Sequence, residues 1–315
     1  MNSQPIPSLL ALGFALPLAC QQVQVSVKAL TPLQAQVQGV TGTTSVTQAA
    51  GALPWSGNLI VSPAGGFDAA SVVWMRAQSA THCEALIEHS LTLADPALTT
   101  SCSAGPHELL IEFAASAPIA ARLELAAQQI VTAGATAPSL QLDLGNDGSI
   151  DIVDLGVMPP TTQQVVIGLQ PLRLRLLVDA TLTSAGLAQH TFVVRLLPDN
   201  DLTIQPTIAS CRGGDPLPAL VEPTFADRGL RLWQPFVGVP AVMVVGLAPQ
   251  PTLLSLGAFG PCFLLPTPDF VLFEPSGFVD IALPAAARPL TVYAQSVLLE
   301  GGSLVVGDGY TINAH

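Results

Sequence analysis

Charge is what this sequence has least of. Lysine occurs once, as Lys28, and charged residues make up 10% of the 315, against about 25% in an average soluble protein. Nucleic-acid partners need clustered Lys and Arg to neutralise phosphates. Ten basic residues and a net charge of −12 exclude that class. Breaker-free stretches are missing as well. The 26 glycines and 28 prolines are spread along the chain, which excludes long helices. No run of about 18 apolar residues lacks a proline, so no transmembrane helix is expected. Catalytic signatures are absent too: there is no G-x-S-x-G, H-E-x-x-H, P-loop or dinucleotide glycine pattern. No enzymatic activity is expected.

What is present begins with Leu9–Leu18, an apolar stretch of about ten residues followed by Ala19 and Cys20. It is too short to span a bilayer, and residues 1–20 read as an export signal. Ala19-Cys20 also has the form of a bacterial lipoprotein cleavage site, so Cys20 is a candidate lipid anchor. Cys83, Cys102, Cys211 and Cys262 remain. Four cysteines allow three pairings, and sequential pairing places one bridge in each half. Such bridges would stabilise by about 3 and 4 kcal/mol through loop closure.

From Gln21 the chain alternates. Val23, Val25 and Val27 are separated by Gln24 and Ser26, a period-2 strand with one wet face. Ser71–Met75, Cys83–Leu93, His107–Phe113, Ala121–Leu125, Leu172–Leu176 and Thr191–Leu196 read as further strands, whereas Ser56–Phe67 reads as turns. Strands at such spacing predict an all-β protein of two antiparallel β-sandwich domains, jelly-roll or Ig-like, covering 21–201 and 203–315. The polar, breaker-rich Leu197–Asp201 is the boundary.

The sharpest segment is Leu142-Asp-Leu-Gly-Asn-Asp-Gly-Ser-Ile-Asp-Ile-Val-Asp154. Asp143, Asp147, Gly148, Asp151 and Asp154 fit positions 1, 5, 6, 9 and 12 of a calcium loop, with Gly145 at position 3 where an oxygen ligand belongs. The alternative is a hairpin turning at Asn146-Asp147-Gly148. In that case Leu142, Leu144, Ile150 and Ile152 face the core, and Asp143, Asp147 and Asp151 face water. If one cation binds this protein, it is Ca²⁺ at Asp143, Asp147, Asp151 and Asp154.

Other candidates are weaker. Trp55, Trp74 and Trp233 supply flat rings for stacking on sugars or serve as core. Glu108 and Glu112 share a strand face, as a glycosidase pair or as ordinary solvated carboxylates. Arg173, Arg175 and Arg195 suit cross-strand ion pairs. His82 and His89 flank Cys83, but their spacing points them to opposite strand faces. They read, with His107, His190 and His315, as surface or hydrogen-bonded residues.

The second half carries a recognisable order: Cys211-Arg-Gly-Gly with Pro216-Leu-Pro, Pro261-Cys262, Pro275-Ser-Gly-Phe-Val-Asp, Leu290-Thr-Val-Tyr-Ala-Gln295 and Gly307-Asp-Gly-Tyr-Thr-Ile312. From Ser210 to His315 this resembles a C-terminal β-sandwich module of exported proteins of planctomycete-type bacteria. The resemblance implies a Cys211–Cys262 bridge and an extracellular or envelope protein, with no catalytic residues. The expected role is structural or adhesive at a cell surface or matrix. Self-assembly through strand edges that lack protective lysines is one route. A module binding carbohydrate or another surface ligand, with or without Ca²⁺, is the alternative.

Overall fold

Alternation in the sequence becomes strand faces in the structure, a computed structural model that describes residues 23–63, 66–132, 139–154, 158–168, 170–199, 202–208, 220–225, 229–233, 241–255, 261–274, 278–283, 289–300 and 303–315. The export segment with Cys20, and Cys211 with its bridge, lie outside the described residues, as does part of the Leu197–Asp201 boundary. Every regular element described is a strand, and the strand pairs are antiparallel. The chain divides into two compact units, one spanning Gln21–Asn200 and one that includes Asp201–His315.

The first unit contains β1 (Gln24–Ala29), β2 (Leu33–Gly39), β3 (Gly42–Gln48), β4 (Gly51–Ala52), β5 (Ser56–Val61), β6 (Ala69–Gln78), β7 (Cys83–Leu93), β8 (Thr99–Ala114), β9 (Ile119–Val131), β10 (Ser139–Leu144), β11 (Ile152–Asp154), β12 (Met158–Ile167), β13 (Leu172–Leu182) and β14 (Gly186–Pro198). Their pairing is nested: β7 with β14, β8 with β13, β9 with β12, β10 with β11. Successive pairs fall in opposite sheets. One sheet runs β11-β10-β13-β8-β1-β4, with β2 on β8 and β3 on β2; the other runs β12-β9-β14-β7-β6-β5. One long double hairpin rolled into two sheets is a jelly roll, here extended by β1–β6. The acidic segment 142–154 is the tip of that hairpin.

Strand parity sets the core. Cys83, Ala85, Ile87, His89, Leu91 and Leu93 of β7 are buried, and the residues between them are half-buried. Phe113 of β8 and Phe192 of β14 are among the largest side chains fully enclosed. Each such residue contributes about 1.5–3 kcal/mol through burial. The β8 strand breaks stride at Gly105-Pro106. Gly105 has φ +123°, and a Cβ there would meet the Val178 carbonyl at 2.8 Å, so a side chain is excluded. Residues 99–104 before the break pair with β2, and residues 109–114 after it pair with β1.

Two expectations are corrected here. Cys83 and Cys102 are free, buried thiols. The Cys102 thiol points at the Thr92 carbonyl and that of Cys83 at the Val23 carbonyl. Thr92 lies nine residues along β7 from Cys83, about 30 Å at strand rise, so the bridge cannot close. Ser56–Val61 is a strand, not a turn region. Its Gly57 is required because the Trp74 ring lies 2.2 Å from where a Cβ would stand.

In the second unit, a five-stranded sheet runs in the order Leu202–Ile208, Ser303–Ala314, Leu290–Glu300, Ala241–Gly246, Phe270–Glu274. Leu220–Pro223, Gly229–Trp233 and Phe278–Ala282 form a three-stranded sheet, and Pro249–Ser255 pairs with Pro261–Pro266. Leu230, Leu232, Met243, Val245, Val292 and Ile312 make its core. The buried Gln295 amide accepts from the Leu265 N–H at 2.7 Å and donates to the Phe263 and Gly307 carbonyls, tying the hairpin to the large sheet.

Candidate functional site

The acidic tip is a nine-residue loop between the paired residues Leu142 and Ile152, wider than a turn confined to Asn146-Asp147-Gly148. Its carboxylates bind its own backbone. Asp143 accepts from the Asp147 N–H at 3.1 Å and the Gly148 N–H at 2.9 Å. Asp151 accepts from the Leu144 N–H at 2.6 Å, and Asp147 from the Ser149 N–H at 2.8 Å. The Ser149 hydrogen bonds hold the Asp147 carboxyl below its usual range. Asn146 (φ 56°) and Gly148 (φ 89°) adopt the left-handed conformations the loop demands. Asp143 is buried and Ile150 is half exposed, the reverse of the simple hairpin's expectation. Folding the loop onto Asp143 draws that carboxylate inward and turns Ile150 out. Asp154 pairs with Leu140 in the ladder, and its side chain lies outside the described residues. Ca²⁺ requires six to eight converging oxygens; these carboxylates aim at separate amides. Among the described residues, no group of three or more His, Cys, Asp or Glu has the arrangement to hold a metal.

Outward-facing charges pair with one another. Arg173 donates to Glu112 at 2.8 Å, Arg175 meets Glu108 and Arg195 meets Glu84. Glu108 and Glu112 therefore stand as ion-pair partners on one sheet face. His82 bonds to the Ser79 hydroxyl at 3.1 Å and His315 to the Thr203 hydroxyl at 2.9 Å.

The three tryptophans are not one platform. Trp74 is core, Trp233 belongs to the second unit, and Trp55 is 53% exposed. Trp55 walls a pocket of about 430 Å³ at one end of the first unit, lined also by Gln24, Ser26, Arg76, Gln78 and Glu112. That volume falls within the roughly 300–1,000 Å³ of small-molecule sites. The pocket is built from the neighbouring ends of β1 and β6. The Arg76 guanidinium donates to the Val25 carbonyl at 3.0 Å and the Leu53 carbonyl at 3.1 Å, and it lies 4.5 Å from the centroid of the Trp55 ring. Burial lowers its pKa. One indole face is thus held by a cation–π contact, and the ring stays half exposed. Gln78 accepts from the Val25 N–H at 3.4 Å. An exposed ring beside amides, a hydroxyl and a carboxylate can stack on a pyranose and hydrogen-bond its hydroxyls.

A third cluster lies in the core and was not anticipated. His89, His107 and His190 are all buried. His107 Nδ1 is 3.2 Å from His89 Nε2, with the rings edge to face at 4.9 Å. His190 is the ladder partner of His89. Desolvation, then His107 and His190, push the His89 pKa well below 6.5; desolvation brings that of His107 to about 4. Parity was the available signal, since His89 shares the stride of Ile87 and Leu91, and His107 that of Leu109 and Ile111. No protein-family model matches the chain, and the search of curated proteins finds no match either.

Proposed function

We propose that the protein is a non-catalytic adhesive protein of the cell envelope or extracellular matrix that binds carbohydrate at the Trp55 pocket. The observation that carries this reading is the half-exposed Trp55 ring, stacked on Arg76 in a pocket of about 430 Å³ with polar groups around it. Lectin domains are among the functions jelly rolls host, although a fold alone assigns no activity. The apolar stretch before Cys20 and the resemblance of Ser210–His315 support export. The test is a glycan array probed with the full chain and with Trp55→Ala. Selective binding by the parent and none by the variant supports the reading; equal signals from both, or none from either, defeats it.

A structural role through self-assembly is favoured by a separate observation. The strands β3 and β5 and the edge strand Leu202–Ile208 carry no charged residue, and uncharged edges invite strand addition. Sedimentation velocity of the full chain reads this directly. Concentration-dependent oligomers abolished by Thr44→Lys on β3 support it, whereas a monomer at all concentrations removes it.

A further inference from the structure

The histidine cluster joins the two sheets of the first unit, which no backbone ladder joins. Between the segments of β8 that pair with β2 and β1, the chain crosses from one neighbour to the other, and the His107 ring occupies the crossing. Its Nε2 lies 2.8 Å from the Gln34 nitrogen and 2.9 Å from the Gln34 oxygen, at the start of β2. Its Nδ1 reaches across the core to His89 of the opposite sheet. We propose that this Gln34–His107–His89 chain is an acid-sensitive latch, in which protonation frees the start of β2 and loosens the two sheets of the first unit from one another.

The geometry has no place for two charged rings. A single Nε2 cannot accept from the Gln34 N–H and donate to the Gln34 carbonyl together. In one tautomer it accepts and Nδ1–H donates to His89; in the other both roles reverse, and either chain is complete. A proton added to His107 turns both nitrogens into donors, to the Gln34 carbonyl and to His89 Nε2, but puts a charge in the core and leaves the Gln34 N–H without that ring as acceptor. A proton added to His89 as well sets two N–H groups against each other across 3.2 Å. Among the described residues, no carboxylate acts on either ring. Beside the pair in the ladders stand Val72 of β6 and His190 of β14, the partners of His89, and Val178 of β13, the partner of His107, all buried. The other titratable groups on the inward faces of β7 and β8 are the Cys83 and Cys102 thiols, whose pKa values burial raises to about 12 and 11. Asp68, the buried carboxylate near Cys102, is committed to the Thr99 hydroxyl and the Ala94 and Asp95 N–H groups. Glu84, Glu108 and Glu112 pair with arginines on the outward faces.

The sign follows from linkage. Histidines of the unfolded chain take up protons near 6.5, whereas His107 in the folded chain waits until about 4. The unfolded state therefore binds more protons throughout that window. Stability is full above about 6.5 and falls as pH drops, by about tenfold in the unfolding equilibrium per pH unit for each such histidine. The experiment is hydrogen exchange and urea unfolding of the full chain between pH 7.0 and 4.5, for the parent, His107→Gln and His89→Gln; glutamine keeps a hydrogen-bonding amide and takes up no proton. The parent is expected to weaken about 100-fold more than either variant over two pH units, with protection of the Gln34 amide lost before that of Val27. Parallel pH dependence in parent and variants overturns the latch. If a variant does not fold, NMR titration of the parent decides: His89 and His107 ring signals that titrate near 6.5 in the folded chain overturn it, and signals flat to pH 5 support it.

Discussion

Two polar clusters of the first unit, the acidic tip of the rolled hairpin and the Trp55 pocket, look unlike in the sequence and exchange roles in the structure. The tip has the charge, four carboxylates in twelve residues, yet three of them are occupied by amides of their own loop. The pocket holds two charges, Arg76 and Glu112, and these with Ser26 and Gln78 are hydrogen-bonded within the protein, whereas its Trp55 ring is half exposed. The difference teaches that an exposed aromatic face, rather than charge density, separates a binding surface from a structural one. A carboxylate that closes a loop has spent its directional lone pairs where a ligand would need them.

Substitutions can break or sharpen that contrast. The largest effect belongs to Asp143→Ala. It strands two amides that a buried carboxylate now satisfies, and it should cost about 2–3 kcal/mol in urea unfolding. A change below about 0.5 kcal/mol, the range of ordinary surface substitutions, would return the tip to the list of free sites. Next is Trp55→Ala, which should weaken glycan binding at least tenfold in titration calorimetry, about 1.4 kcal/mol, and leave the unfolding midpoint nearly unchanged. Arg76→Met should follow, lowering affinity by about 0.5–1 kcal/mol as the cation–π support of the ring is lost. The smallest is calcium itself. Millimolar Ca²⁺ against EDTA should leave the melting temperature unmoved, whereas saturation at 100 times Kd would add about 2.7 kcal/mol and a rise easily seen by scanning calorimetry.

Parity was the legible part of the fold. Val23, Val25 and Val27 are buried as alternation requires, and Cys83–Leu93 forms a strand with the bounds its pattern marks. What stayed hidden depends on partners distant in the chain. Gly57 and Asn58 look like turn residues, but Gly57 makes room for Trp74, which no local pattern announces. Cys83 and Cys102 are nineteen residues apart in sequence, a spacing that says nothing about which end of β7 each one faces. The tip was recognised as a turn from Asn146 and Gly148, while its nine-residue span was set by Asp143, whose inward direction comes from the loop's amides. The pocket combines residues from 24 to 171 and could not be assembled from spacing. In the sequence Trp55 is one of three rings, and no pattern marks Arg76, its support.

The nested pairing of the rolled hairpin also prescribes an order of assembly. Joining β7 to β14 first would close a loop of about a hundred residues, whereas joining β10 to β11 closes the shortest one, and loop entropy grows with the logarithm of length. Once that innermost pair exists, β9 and β12 become near neighbours, then β8 and β13, then β7 and β14, so each step inherits the proximity made by the one before. The chain would then zip from its acidic tip outward, and the high sequence separation of its final contacts would slow folding less than their span suggests. Kinetic φ-values should fall from the tip toward Phe192; the opposite gradient would show that the core collapses before the hairpin rolls. In that light the carboxylates of the tip organise a time sequence as well as a loop.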